Sequence, residues 1–412
     1  MLAKNARQVL KDVTPKGLPL VVFSDDWGRH PSSCQHLIRQ LLPAREVLWV
    51  NTIGTRPPRF DLRTLQRVVE KLKHWSGAAS QPQVCADKPS HPTLSPRILS
   101  PRMWPSFASS PARKLNQSML TRALMPAIES MAQAPVVITT LPIVSDLVGH
   151  LPVEKWIYYC VDDFSVWPGY DGKTMGAMAR ELVPKMHDTV AASEALAQGL
   201  RRLGANPTLI THGVDLSHWS RRPDQSHSEL PEFAGLEGPF IVFWGVIDRR
   251  MDTDWVSGLS EALRSQNRPG TIVLFGPHED PDPRLREVPR VSLRGAVSFE
   301  RLAHVAAHSS VLIMPYSDMP ATRAMQPLKL KEYLATGLPV VVRDLPATQP
   351  WSDACDICDA REAFIRSVLM RLDSGATEEQ ELARKRLTSE SWIAKAALLE
   401  KVIDAPAVGG LS

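Results

Sequence analysis

Lys329 and Glu332 stand three residues apart in the segment Gln326-Pro-Leu-Lys329-Leu-Lys-Glu332-Tyr-Leu-Ala-Thr-Gly337-Leu-Pro-Val-Val-Val342. On a helix that spacing places an ammonium and a carboxylate on the same side. An ammonium neutralises phosphate, and a carboxylate accepts hydrogen bonds from both hydroxyls of a diol. Near a helix start beside a parallel sheet, the pair suits a ligand carrying both phosphate and sugar hydroxyls, a nucleotide-sugar. The punctuation agrees with this reading. Pro327 fits a first helical turn, Gly337 a position just past the helix end, and residues 338–342 a strand covered on both faces.

A second group of candidates lies in the first half. Tyr158-Tyr-Cys-Val-Asp162-Asp163-Phe ends an apolar run with two acids, and in open α/β sheets the strand end is where ligand-facing residues sit. Either acid could act as general base toward an acceptor hydroxyl, as an inverting transfer would need and a retaining one would not. In extended backbone they point to opposite sides, so one of them faces a ligand. Another polar cluster, Ser24-Asp25-Asp26-Trp27-Gly28-Arg29-His30-Pro31-Ser32, joins an apolar run to a helical one.

These groups need a frame, and the chain supplies an alternation of short apolar runs with helical segments, the pattern of parallel α/β folds. The expected strands of the first half are 18–24, 47–50, 136–140, 156–160, 189–192 and 208–211. Ser32 or Ser33 caps the first helix. Residues 76–113, rich in Pro and Ser, read as a long irregular excursion. A polar, Pro- and Gly-dotted stretch at 216–238 reads as a linker. A second series follows, with strands at 240–244, 272–275, 291–293, 311–315 and 339–342 and helices starting near Asp252, Glu300 and Pro327. Two such series imply two Rossmann-like, doubly wound domains, 1–215 and 239–388, facing a central cleft, with a last amphipathic helix in 389–412.

Five short pieces in order complete the pattern: Thr211-His-Gly-Val-Asp215, Phe243-Trp-Gly245, Leu274-Phe-Gly276-Pro277, Leu293-Arg-Gly-Ala-Val297 and the opening Lys329–Glu332 segment. With them the chain resembles the two-domain glycosyltransferases of the GT-B fold, near glycosyltransferase family 4 and bacterial polysaccharide enzymes. The resemblance implies that Glu332 binds the donor ribose and that Lys329 lies near the pyrophosphate. It implies an arginine, Arg249 or Arg250, on the pyrophosphate just after Gly245. It places Gly276 and the backbone near Val297 beside the base, and amides near Met325 and Gln326 facing phosphate. The loop with Gly28, Arg29 and His30 would line the acceptor side, and the last helix would cross back to the first domain. One departure is plain: where many such enzymes carry a Glu eight residues before the ribose Glu, this chain has Ala324. Donor sugar and stereochemistry therefore do not carry over. An epimerase of the same architecture and a non-catalytic scaffold that binds a partner enzyme or membrane stay open as alternatives.

Composition bounds the rest. The 412 residues are 43% hydrophobic and 22% charged, ordinary for a globular chain of two cores. No apolar run is long enough for a membrane-spanning helix, and the basic N-terminus lacks a signal-like apolar core. The five cysteines, Cys34, Cys85, Cys160, Cys355 and Cys358, are odd in number and scattered, which suits a reducing cytosol. Cys355-Asp-Ile-Cys358 has no second pair to complete a zinc site, and Asp280-Pro-Asp282 sits in a Pro-rich loop; neither a metal nor a cofactor is expected beyond the donor itself. The net charge of +4 hides an asymmetry, because residues 1–150 hold 19 Lys/Arg against 9 Asp/Glu. Arg56, Arg59, Arg63, Arg67, Lys71, Lys73 and Trp75, then Arg97, Arg102, Met103, Trp104 and Phe107, mix cations with apolar side chains. That mixture suits peripheral contact with an anionic membrane on its cytoplasmic face. No nucleic-acid motif accompanies the charge.

Overall fold

The computed structural model describes residues 17–28, 32–52, 94–167, 169–219 and 230–407. The chain divides into two compact units. The first comprises Met1–Ala192, Leu196–Ile210 and Ala396–Ser412; the second comprises Ser193–Ala195 and Thr211–Lys395.

The first unit is built on a seven-stranded sheet of order β3-β2-β1-β4-β5-β6-β7. Its strands are β1 (Leu20–Ser24), β2 (Val47–Asn51), β3 (Arg97–Leu99), β4 (Val136–Thr139), β5 (Lys155–Cys160), β6 (Asp188–Ala191) and β7 (Thr208–Leu209). Every pairing is parallel. Strands β1, β4 and β5 are buried along their whole length. This is why they read as unbroken apolar runs and not as alternating ones. Among the helices are α1 (Ser33–Leu41), α2 (Ser110–Glu129), α3 (Gly172–Leu182) and α4 (Glu194–Arg202). Ser32 is the N-cap of α1, its hydroxyl accepting from the Gln35 N–H.

Two elements depart from the sequence reading. β3 lies inside the expected irregular stretch; two of its three residues are exposed, so no apolar pattern marks it, and pairing with β2 alone makes it a strand. Helix α2 begins in the same stretch, with Ser109 as cap and Pro111 in its first turn.

The second unit has a six-stranded parallel sheet of order β10-β9-β8-β11-β12-β13. Here α5 (Leu216–Trp219) precedes β8 (Phe240–Trp244), and α6 (Thr253–Ser265), β9 (Thr271–Phe275), β10 (Val291–Arg294), α7 (Phe299–Ala307) and β11 (Val311–Met314) follow. The chain continues through α8 (Pro320–Ala324), α9 (Leu328–Ala335), β12 (Val340–Arg343), β13 (Asp356–Cys358), α10 (Arg361–Ser374), α11 (Glu378–Arg384) and α12 (Trp392–Asp404). β13 absorbs most of the Cys-Asp-Ile-Cys tetrapeptide as an edge strand paired with β12, and burial raises the pKa of both thiols. Both sheets reverse strand order once, between β1 and β4 and between β8 and β11. In doubly wound folds that switch point, beyond the carboxyl ends of the strands, is where ligands bind.

The end of α12 is fastened within the first unit. The Lys155 ammonium, almost fully buried, donates to the Val402 and Ala405 carbonyls and pairs with Asp188 at 2.9 Å. The guanidinium of buried Arg45 pairs with Asp404 at 2.6 Å and with Glu400 at 3.4 Å. Cations at a helix C-terminus satisfy its orphan carbonyls and complement its dipole.

Candidate nucleotide-sugar site

At the second switch point β8 ends in Trp244 and Gly245, and β9 in Phe275 and Gly276. Gly245 has φ 153° and Gly276 φ 147°, values that side chains rarely tolerate. The two backbones touch. A Cβ on Gly276 would lie 1.7 Å from the Gly245 carbonyl oxygen, and one on Gly245 would lie 2.5 Å from Cε of Lys329. Glycine at 276 lets the two backbones meet, and glycine at 245 lets the lysine stem lie against bare backbone.

Lys329 and Glu332 stand on α9, with Pro327 as N-cap. Both are half-buried. Burial lowers the pKa of Lys329; the Glu332 charge works against that shift and Arg250 adds to it. Burial raises the pKa of Glu332, offset in part by Lys329 and by a hydrogen bond from Trp244. Each group is thus partly stripped of water and only partly repaid by its neighbour. Among the described residues Lys329 has no hydrogen bond or ion pair. Glu332 takes one hydrogen bond, from Trp244 Nε1 to Oε2 at 3.3 Å. A diphosphate supplies the charge that Lys329 lacks, and a sugar diol supplies donors to the open Glu332 oxygen.

The two arginines after Gly245 part company. Arg250 is mostly buried, fixed by Asp248 at 2.8 Å, and close enough to depress Lys329. Arg249 is half exposed and turned to Asp280 at 3.4 Å. Arg250 is thus the arginine beside Lys329, and Arg249 forms a surface pair with Asp280. The expectation for backbone amides divides too. Met325 N–H is spent on the Ala321 carbonyl, closing α8. Gln326 N–H and its side chain have no partner among the described residues. Val297 is half-buried beyond β10, the edge strand, and no hydrogen bond links it to the Lys329 group.

In the first unit Asp162 and Asp163 follow β5. Asp163 accepts from the Ser165 N–H at 3.0 Å and from its hydroxyl at 2.5 Å. Both bonds fall on Oδ1, so one oxygen of Asp163 holds a turn at the end of β5. The loop after β1 is held by Gln35, which is wholly buried. Gln35 donates to Asp25 Oδ2 at 3.0 Å and to the Asp26 carbonyl at 3.3 Å, and it accepts from Gly28 N–H at 3.0 Å. Gly28 has φ 78°, which explains its glycine. Arg29 and His30 lie outside the described residues, as do Arg56 to Trp75.

Comparison with known proteins now bears on both units. Residues 238–368 match the family "Glycosyl transferases group 1". The "Putative teichuronic acid biosynthesis glycosyltransferase TuaH" of Bacillus subtilis is 31% identical over 146 residues, and the chain spans about a third of that relative, 34%. Sucrose-phosphate synthase from Thermosynechococcus elongatus superposes with TM-score 0.65 at 15% identity, over 94% of this chain and 98% of that one. Anabaena HepE, in complex with UDP and glucose, superposes with TM-score 0.64 at 10% identity, over 94% and 100%. A trehalose-6-phosphate structure from E. coli bound with UDP-2-fluoro glucose gives 0.61 at 10% identity, over 93% and 98%. The fold is GT-B.

In this GT-B chain the site and its frame share one helix. Lys331, two residues from Lys329, turns inward and is 2% exposed. It donates to Thr211 Oγ1 at 3.1 Å, to the His212 carbonyl and to Glu390, which Lys395 also meets at 2.8 Å. Burial works against the Glu390 charge, yet the bonds from Lys331 and Lys395 prevail and lower its pKa. Lys331 and Lys329 thus have opposite roles. We expect Lys331→Met to cost about 2 kcal/mol of stability, read from urea unfolding, with little change in donor KM, because it removes the buried bonds to Thr211, His212 and Glu390 and leaves Lys395 to hold Glu390. Sequence reasoning did not find Trp244, Gln35 or Glu390. Trp244 stood in view within Phe243-Trp-Gly245, and a polar-tipped aromatic at a strand end was the available signal.

Proposed function

We propose that this protein is a glycosyltransferase that moves a sugar from a nucleoside diphosphate donor to a hydroxyl of a glycan or lipid-linked glycan, in cell-surface polysaccharide biosynthesis. The observation that carries it is the convergence of Gly245, Gly276, Lys329, Arg250 and Glu332 at the β8/β11 switch point. The group combines a bare backbone, two cations and one carboxylate, the donors and acceptors that a diphosphate and a ribose require. HepE and the E. coli protein were solved with UDP or a UDP-sugar, so UDP-sugars are the first donors to try. The relation to TuaH supports a cell-surface glycan.

In the step itself the acceptor oxygen forms a bond to the anomeric carbon as the bond from that carbon to the donor phosphate breaks. The diphosphate leaves with the electron pair, and Lys329 and Arg250 stabilise its charge in place of a metal. An inverting transfer sends the hydroxyl proton to a base, and we assign that base to the Asp162–Asp163 pair at the end of β5, testing Asp162 first. The test is transfer from radiolabelled UDP-sugars to membrane-extracted glycan acceptors. Asp162→Asn is expected to lower kcat by about 100-fold or more with donor KM nearly unchanged, and EDTA to leave the rate unaltered. Full transfer by both Asp162→Asn and Asp163→Asn removes the base assignment. Epimerised or hydrolysed donor with no transfer selects the epimerase reading instead.

Membrane contact belongs to the same proposal. Met103 and Phe107 are core residues, so among the described residues of the basic-aromatic cluster the exposed apolar side chain is Trp104, 52% exposed. Asn116 on α2 fixes the Trp104 backbone, and the exposed Lys114 and Leu115 precede it on that helix; Arg102 is exposed as well. Among the described residues no helix is long and apolar enough to cross a membrane. Trp104→Ser is expected to reduce co-sedimentation with vesicles containing phosphatidylglycerol, and not with neutral ones.

A further inference from the structure

We propose that Trp244 is a positioning residue that presents Glu332 to the donor ribose, and so sets how strongly the site favours ribose over a sugar lacking its hydroxyls. The inference rests on the reading of Glu332 given above and names a residue that this reading leaves out. The geometry is specific. Trp244 closes β8 and is 3% exposed. Its backbone is gripped on both sides by one phenol: Trp244 N–H donates to Tyr333 Oη at 2.9 Å, and that hydroxyl donates to the Trp244 carbonyl at 3.2 Å. Its ring meets Tyr333 edge-on, centroids 4.4 Å apart, and stacks on Trp219 at 5.5 Å with the planes 8° apart. The indole is therefore held at its root and across its face, and it has no room to turn. Its single polar atom, Nε1, donates to Glu332 Oε2.

Two consequences follow for the carboxylate. A Glu side chain has three rotatable bonds, and an unpaired one would spend most of its time away from any one ligand geometry. The fixed indole donor removes that freedom before the ligand arrives, so less ordering remains to be done on binding. It also divides the two oxygens, committing Oε2 to Trp244 and leaving Oε1 with no partner among the described residues. Tyr333 follows Glu332 directly on α9, so the helix that carries the carboxylate also carries the clamp on its partner.

The experiment is calorimetry on the full chain. UDP, GDP and ADP are titrated first, and the tightest binder is then compared with its 2′,3′-dideoxy counterpart. Wild type is expected to favour the ribo form. Trp244→Phe keeps an aromatic ring and removes the N–H; it is expected to weaken the ribo form roughly ten-fold and to leave the dideoxy form within about two-fold. Trp244→Met, whose flexible side chain refills part of the indole volume and likewise carries no donor, gives the same comparison should Trp244→Phe not fold. Glu332→Gln separates the two readings. If it loses the ribo preference while both Trp244 variants keep it, or if those variants weaken ribo and dideoxy forms equally, Trp244 is packing and the inference is overturned. If Glu332→Gln itself keeps the preference, the ribose assignment of Glu332 fails first.

Discussion

Glu332→Ala is expected to weaken nucleoside diphosphate binding by about 30- to 100-fold while leaving the unliganded protein as stable as wild type or slightly more so. The two halves of this expectation have different origins. A carboxylate that accepts from a sugar diol makes charged hydrogen bonds, and their loss is worth about 2–3 kcal/mol of binding. In the unliganded protein burial raises the Glu332 pKa. A carboxyl group whose folded pKa lies above its unfolded value is a net cost to folding once it is ionised, so removing it costs no stability at neutral pH. Calorimetry with UDP and a melting curve without ligand measure the halves separately. The sign of the pH dependence follows as well. Because the ionised form is the acceptor, affinity falls as pH drops toward the raised pKa, and Glu332→Gln flattens that profile. A parallel loss of stability and binding would show that Glu332 is structural.

Gly276→Ala is expected to destabilise the second unit by about 4 kcal/mol or more, among the largest effects of any single methyl group. The added Cβ would sit 1.7 Å from the Gly245 carbonyl oxygen and 2.7 Å from its carbon, both backbone atoms just past the end of β8. Its φ of 147° adds strain independent of space. The readout is the urea midpoint, with an unchanged slope showing that the same surface unfolds. Gly245→Ala is the informative contrast. Its Cβ meets chiefly Cε of Lys329 at 2.5 Å, the end of a flexible side chain, and the ring edge of Phe243 at 2.9 Å. Lys329 can yield, but the strain of φ 153° and the Phe243 contact remain, so we expect a smaller loss of stability than at Gly276, joined by a loss of diphosphate affinity. Equal effects of the two substitutions would mean that Lys329 does not lie over Gly245.

Much of the frame was legible in the residues because parallel strands are buried on both faces. Leu20–Ser24, Val136–Thr139, Phe240–Trp244 and Val311–Met314 are near-continuous apolar runs. β3 and β13 were not legible. Three-residue edge strands carry too few apolar positions for a period, and only a neighbour's hydrogen bonds define them. The same boundary runs through the site. Lys329 and Glu332 declared themselves by helical spacing and by the glycine and prolines around them. Nothing in that spacing distinguished Lys329 from Lys331, or Arg249 from Arg250, because adjacent long side chains have the same chemistry and differ only in the direction their backbone sends them.

The sequence by itself determined two parallel α/β series, a glycine after each of the strands that open the second series, and one helix bearing a cation and a carboxylate on a shared face. Local spacing suffices for those, since hydrophobic period, turn chemistry and helix geometry act over a few residues. Tertiary structure alone decided which charges are paired within the protein. It set the Lys329 stem on Gly245, turned Lys331 onto Glu390, gave Asp163 to Ser165 and Arg249 to Asp280, and brought the Trp244 indole to Glu332 across 88 residues of chain. The physical reason is desolvation. A charged group becomes available for binding or committed to structure according to the partners that burial places around it, and those partners come from segments far apart in the sequence.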